Sequence, residues 1–89
     1  MEHAQEVTIV NRYGLHARPA AEFVKLANRF SSEIWIRKDE VEVSAKSIMG
    51  VMMLAAECGS AVHLRARGDD AQDAVGALAG LIQNGFGED

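Results

Sequence analysis

Apolar and polar residues alternate in four short stretches of this chain. Val7 and Ile9 flank Thr8, Ile34 and Ile36 sit among Glu33 and Arg37, Val41 and Val43 flank Glu42 and precede Ser44, and Val62, Leu64 and Ala66 alternate with His63, Arg65 and Arg67. A period of two puts the two sets on opposite faces of a strand, so each stretch predicts a strand with one buried face. The first strand-like run is Glu6 to Asn11. Elsewhere the apolar period lengthens to that of a helix, predicting helical segments over roughly 17 to 29, 47 to 55 and 70 to 84. The first collects Ala20, Phe23, Val24 and Ala27 on one face, joined by Leu26 and Phe30; the last collects Ala74, Val75, Leu78, Leu81 and Ile82. Ser47 is placed to cap the middle helix, Asp69 or Asp70 to cap the third, and Gly85 to close it.

Strands with a single apolar face require all the helices on that one side, leaving Thr8, Glu33, Arg37, Glu42, Ser44, His63, Arg65 and Arg67 in water. The expected architecture is therefore α+β: an open-faced two-layer sandwich of order βαββαβα, with a four-stranded sheet covered on one face by three helices. Val10 and Trp35 break the outer polar alternation, and isolated exposed apolar residues need no functional explanation.

A chain of 89 residues with no linker, repeat or low-complexity tract reads as one domain, 1–89, too small for a deep internal active site. Function is thus expected at the surface. Nine Lys and Arg against thirteen Asp and Glu give a net charge of -4, which disfavours nucleic acid and favours a soluble protein partner. No apolar run approaches the roughly 20 residues needed to span a bilayer, and the opening Met1 to Glu6 lacks the marks of a signal peptide, so a cytoplasmic protein without membrane association is expected. Cys58 is the only cysteine and can form no internal disulfide. With His3 and His63 it makes no recognisable ligand spacing; neither a metal nor a cofactor is expected.

The most informative chemistry lies in Gly14, Leu15, His16, Ala17, Arg18, Pro19, Ala20 and Ala21. Gly14 permits a tight turn, and Pro19 has no backbone donor to leave unpaired in a first helical turn. His16 therefore sits at a helix N-terminus, where free N–H groups and the positive end of the macrodipole favour an anion on or beside its imidazole. Arg18 adds a permanent cation with forked donors. The same positive surroundings favour a neutral, nucleophilic ring.

These residues, together with Lys46, Ser47, Ile48, Met49, Gly50, Val51, Met52, Met53, Leu54 and a following Gly59, resemble the HPr family, the histidine-containing phosphocarriers of the bacterial phosphoenolpyruvate-dependent phosphotransferase system. The resemblance spans nearly the whole chain. It implies an antiparallel sheet backed by three helices, and a His16 that accepts a phosphoryl group on a ring nitrogen, as the pros-phosphohistidine, from enzyme I and passes it to an enzyme II component. Arg18 would steady the phosphate. In this reading the chain is a substrate of other enzymes, without turnover of its own.

In family members regulated by HPr kinase, a serine in the context of Ser47 is phosphorylated from ATP; phosphate at a helix cap suits the dipole but would repel an acidic partner. Ile48, Met49 and Met52, with Leu15, Ala17 and Ala20 beside the histidine and Lys46 at the edge, are the candidate docking surface for enzyme I and enzyme IIA, thioether chains being adaptable contacts. Arg12, Arg18, Lys25 and Lys46 could ring that face and steer a partner to His16. A monomer is expected. The tail Asn84 to Asp89 and the strand Ile34 to Glu40 resemble nitrogen-branch carriers, whereas the Ser47 segment resembles the kinase-regulated type. A third reading is a regulatory module signalling through phospho-Ser47, although members of that kind lack the histidine.

Overall fold

Four strands, β1 (Glu2–Thr8), β2 (Glu33–Lys38), β3 (Val41–Ser44) and β4 (Ala61–Arg67), form one sheet in the order β1-β4-β2-β3, and every neighbouring pair is antiparallel. The structure is a computed structural model that describes residues 1–88; Asp89, the last residue of the tail read above, lies outside the described residues. Helices α1 (Ala17–Ala27), α2 (Ile48–Met53) and α3 (Ala71–Gln83) complete the expected order, and a short 3₁₀ turn, Gly85–Gly87, follows α3.

Register explains the single core. Val7 pairs with Val62, Ile36 with both Leu64 and Val43, and Ile34 with Ala66, so the apolar residues of neighbouring strands stack on one face. Against that face α1 buries Ala20, Phe23 and Ala27, α2 buries Val51, and α3 buries Ala74, Val75, Leu78 and Ile82. Each fully buried large side chain contributes roughly 1.5–3 kcal/mol of transfer free energy, which orients the helices on the sheet. Phe86, also buried, pins the turn after α3.

Three sequence expectations shift. The first strand begins at Glu2 and ends at Thr8, because its pairing with β4 runs from Glu2–Arg67 to Thr8–Ala61; Val10 and Asn11 already belong to the loop. Val41 is exposed despite its place in the alternation; it opens β3, the edge strand of the sheet. Asp70 occupies the cap position of α3 but makes no capping bond. Its carboxylate instead accepts the backbone N–H groups of Ser31 and Ser32, both at 2.9 Å, and the Ser32 hydroxyl, tying the start of α3 to the α1–β2 loop. Those bonds, the Ser32 hydroxyl foremost, hold the Asp70 carboxyl down to about 2.

On the outer face, Trp35 is not a bare apolar residue. The Arg65 guanidinium lies 4.0 Å from its ring centroid and Arg67 5.8 Å away, while Arg65 also meets Glu42 at 2.9 Å and Glu2 at 3.5 Å. The stack lets the ring sit on a solvated sheet face under charged cover.

Candidate functional site

His16 is the N-cap residue of α1, with extended backbone (φ -77°, ψ -176°) and a side chain that makes no capping bond. The ring is therefore free for other work. Its carbonyl accepts the N–H of Ala20 at 3.0 Å, while Ala17 and Arg18 occupy the first two helical positions, whose N–H groups have no acceptor within the helix. Pro19 fills the third and removes one donor that would have needed satisfying.

The turn that delivers His16 is fixed from both sides. Gly14 has φ +67°, its N–H donates to the Asn11 carbonyl at 3.2 Å, and a Cβ there would collide with the carbonyl oxygen of Ala56 and lie 2.9 Å from the Cα of Glu57. Leu15 then donates its N–H to that same Ala56 carbonyl at 2.8 Å, joining the histidine turn to the chain leaving α2. Asn11 is wholly buried, and its Nδ2 donates to the Gly14 carbonyl at 2.8 Å.

A carboxylate from the far end of the chain completes the site. After Phe86, Glu88 turns back over the N-terminus of α1: its oxygens lie 3.1 and 3.2 Å from His16 Nε2, Arg18 Nη1 approaches at 3.4 Å, and Asn11 Nδ2 donates at 2.9 Å. The Asn11 hydrogen bond first, then His16 and Arg18, hold the Glu88 carboxyl below its usual range against some desolvation. Arg18 also reaches Glu22, one helical turn on, at 3.8 Å. Tyr13 stands edge-on to the imidazole, 6.1 Å between centroids, with the Arg12 guanidinium 5.4 Å from the Tyr13 ring. Arg12, Tyr13, His16, Arg18, Gly87 and Glu88 line an open cavity of about 600 Å³.

The surroundings of the ring are thus not purely cationic, as the local sequence suggested. A helix N-terminus and two arginines are balanced by one carboxylate. Nothing in the spacing of residues near His16 signals Glu88, which is 72 positions away. The only hint was an acidic residue in a glycine-flanked tail.

Of the other candidates, Ser47 caps α2 as expected, its Oγ accepting the N–H of Gly50 at 3.1 Å, and it is exposed. Met49 and Met53 are 75% and 73% exposed, and Ile48 and Met52 are partly so, while Val51 and Leu54 turn to the sheet. Six residues of helix cannot point everything inward. Ala17 is exposed. Two docking candidates are corrected: Leu15 and Ala20 are buried, because the turn at Gly14 aims Leu15 into the core and Ala20 lies on the sheet-facing stripe of α1. The cation ring is also only partial. Lys46 spends its ammonium on the Phe30 carbonyl at 2.7 Å, and Lys25 lines a separate groove with Glu22, Leu26, Arg29 and Leu81, so only Arg12 and Arg18 line the histidine cavity.

Cys58 is exposed and free, and His63 pairs with Glu6 at 3.1 Å. Among the described residues no group of His, Cys, Asp and Glu is arranged to hold a metal ion, and no helix is long and apolar enough to cross a membrane.

Residues 3–84 match the family model described as the PTS HPr component phosphorylation site. The chain is similar to phosphocarrier protein HPr of Cupriavidus necator, 50% identical over 84 residues covering 94% of both proteins, and to HPr-like protein Crh of Bacillus subtilis, 49% identical over 79 residues covering 89% of this chain and 93% of that protein. Among solved structures, HPr-C-His from Thermoanaerobacter tengcongensis superposes with a TM-score of 0.94 at 50% identity, covering 98% of each chain.

Proposed function

The chain belongs to the HPr family, and from that premise we propose that it is a phosphocarrier: His16 accepts a phosphoryl group from phosphorylated enzyme I and donates it to enzyme IIA components, in sugar uptake and its regulation. One observation carries the residue assignment. An exposed imidazole stands at the cap of α1, beside the N–H groups of Ala17 and Arg18, which have no acceptor within the helix, and the Arg18 guanidinium, in an open cavity.

Phosphoryl transfer asks little covalent chemistry of the carrier; positioning and charge suffice. The Nδ1 lone pair of His16 forms the new N–P bond as the bond from phosphorus to the donor breaks, its electron pair leaving with the donor. Helix donors and Arg18 then face the phosphoryl oxygens, where charge on a preorganised site is best stabilised. Arg18 has five N–H donors and can hold an oxyanion while retaining Glu22. In this reading the protein is a monomeric cytoplasmic substrate with no cofactor or metal, and the catalytic machinery belongs to its partners.

Ala17, Ile48, Met49 and Met52, with exposed Met53, form the docking surface, the α2 segment being joined to the histidine turn through Ala56 and Leu15. Lys46 contributes from the edge only if its ammonium leaves Phe30. Ser47 is the site of regulatory phosphorylation by an HPr kinase/phosphorylase, its hydroxyl lying exposed at a cap where added phosphate meets the helix dipole.

The likeness to Crh favours a second reading, a regulatory module signalling through phospho-Ser47, while His16 with Arg18 supports the carrier. Incubation with enzyme I, phosphoenolpyruvate and magnesium should add one acid-labile phosphate, which enzyme IIA should then remove. A chain phosphorylated only on serine would favour the module. A preference for nitrogen-type over sugar-specific enzyme IIA would place the carrier in the nitrogen branch.

A further inference from the structure

We propose that Glu88 is a positioning residue for His16: its carboxylate holds the Nε2 proton of the neutral ring and so leaves the lone pair on Nδ1 as the phosphoryl acceptor. The proposal rests on the carrier reading above and adds the group that selects the ring nitrogen. Both Glu88 oxygens lie within 3.2 Å of Nε2, and an ionised carboxylate has no hydrogen to give, so the hydrogen in this contact belongs to the imidazole. A histidine whose one nitrogen is held as a donor presents the other as a base or nucleophile. Among the described residues no hydrogen bond engages Nδ1.

The carboxylate is itself held in place. Asn11 Nδ2 donates to Oε1 from a fully buried side chain that also braces the Gly14 turn, Arg18 approaches Oε2, and Phe86 anchors the backbone two residues earlier. The charged and titratable groups facing the ring are Glu88, Arg18, Arg12 and Tyr13, the last two across the cavity. Only Glu88 among them accepts a hydrogen bond from Nε2 as the structure stands.

As Nδ1 forms its bond to phosphorus, the ring acquires positive charge while keeping the Nε2 hydrogen. Glu88 is then opposite a cation and stabilises it. No proton needs to leave, and the reverse transfer regenerates the same neutral tautomer. This is the role a carboxylate plays when it fixes the tautomer and steadies the imidazolium in hydrolase triads.

The test is nitrogen-15 NMR of the full chain labelled at histidine, at a pH where the ring is neutral, in the wild type, Glu88→Ala and Glu88→Gln. The wild type should show His16 predominantly as the Nε2–H form. In Glu88→Ala the Nδ1–H fraction should rise at least about threefold, and Glu88→Gln, whose side-chain carbonyl can still accept, should fall between; the backbone amide spectrum away from the site should not move. Initial rates of phosphoryl acceptance should fall about two- to fivefold in Glu88→Ala, the scale of an exposed ionic hydrogen bond, with partial recovery in Glu88→Gln. A wild-type ring already in the Nδ1–H form, or identical tautomer ratios in wild type and Glu88→Ala, would overturn the proposal. If the wild type took up no phosphate, the carrier reading would fall, while the tautomer ratios would still decide the role of Glu88.

Discussion

Replacing Gly14 with alanine tests how tightly the fold controls the position of His16. The substitution acts twice. An L-residue at φ +67° costs roughly 1–2 kcal/mol from the clash of its Cβ with its own backbone. The added methyl also runs into the Ala56 carbonyl and the Glu57 Cα, backbone atoms with no rotamer to yield, and overpacking of this kind adds typically about 1–3 kcal/mol. The sum, about 2–5 kcal/mol, corresponds to a fall in Tm of roughly 8–40 °C for a domain of this size. Gly59 provides the internal control: its φ is +93°, but nothing lies within 4 Å of a Cβ built there. Gly59→Ala should show the conformational part alone, about 1–2 kcal/mol, and the stiffening of the unfolded chain is common to both variants. Relief of the Gly14 clash must push the turn from Ala56, weakening the Leu15 bond and displacing His16, and a misplacement near 1 Å can cost on the order of a hundredfold in rate. Circular dichroism melts, with phosphorylation rates measured where both variants are folded, supply the comparison. Equal losses in the two variants, or a Gly14→Ala protein that accepts phosphate at the normal rate, would refute this reasoning.

Other expectations follow from the remaining geometry. Because the Asp70 carboxyl is held at about 2 against an ordinary 3.8, its contribution to stability is fully present above about pH 4 and disappears as pH falls toward 2. Urea midpoints of wild type and Asp70→Ala should therefore differ at pH 7 and converge near pH 2; a gap that persists at pH 2 would contradict the Ser31–Ser32 clamp. Ser47→Ala should lose about 0.5–1 kcal/mol through the missing bond to Gly50, whereas Ser47→Asp should keep the melting temperature and raise KM for enzyme I. Met49→Ala and Met53→Ala, both at exposed positions, should leave Tm within a few degrees and raise KM with kcat little changed, as measured by steady-state phosphorylation.

The strands and helices were legible because the alternation of Ile34 and Ile36, or of Val62, Leu64 and Ala66, and the helical stripe through Phe23 and Ala27 each depend on one face meeting one core. The histidine turn was legible for a similar reason: Gly14, His16, Arg18 and Pro19 act within one reversal of the chain, so their spacing carries the geometry. Where sequence reasoning failed, the missing information was the partner. Leu15 and Ala20 adjoin the histidine along the chain, yet the left-handed turn and the helical period send them inward. Asp70 had the right position for a cap, and the nearby Ser31 and Ser32 donors outcompeted its own helix. Glu88 and Asn11 meet only because the chain beyond α3 folds back onto the loop before α1, a contact that no local pattern encodes.

The most direct test of the central claim is phosphorus-31 NMR of the intact protein after incubation with enzyme I, phosphoenolpyruvate and magnesium. A single phosphoramidate resonance assigned to Nδ1 of His16, absent from His16→Ala, is the predicted result. A phosphoramidate in His16→Ala, or none in the wild type, would contradict it.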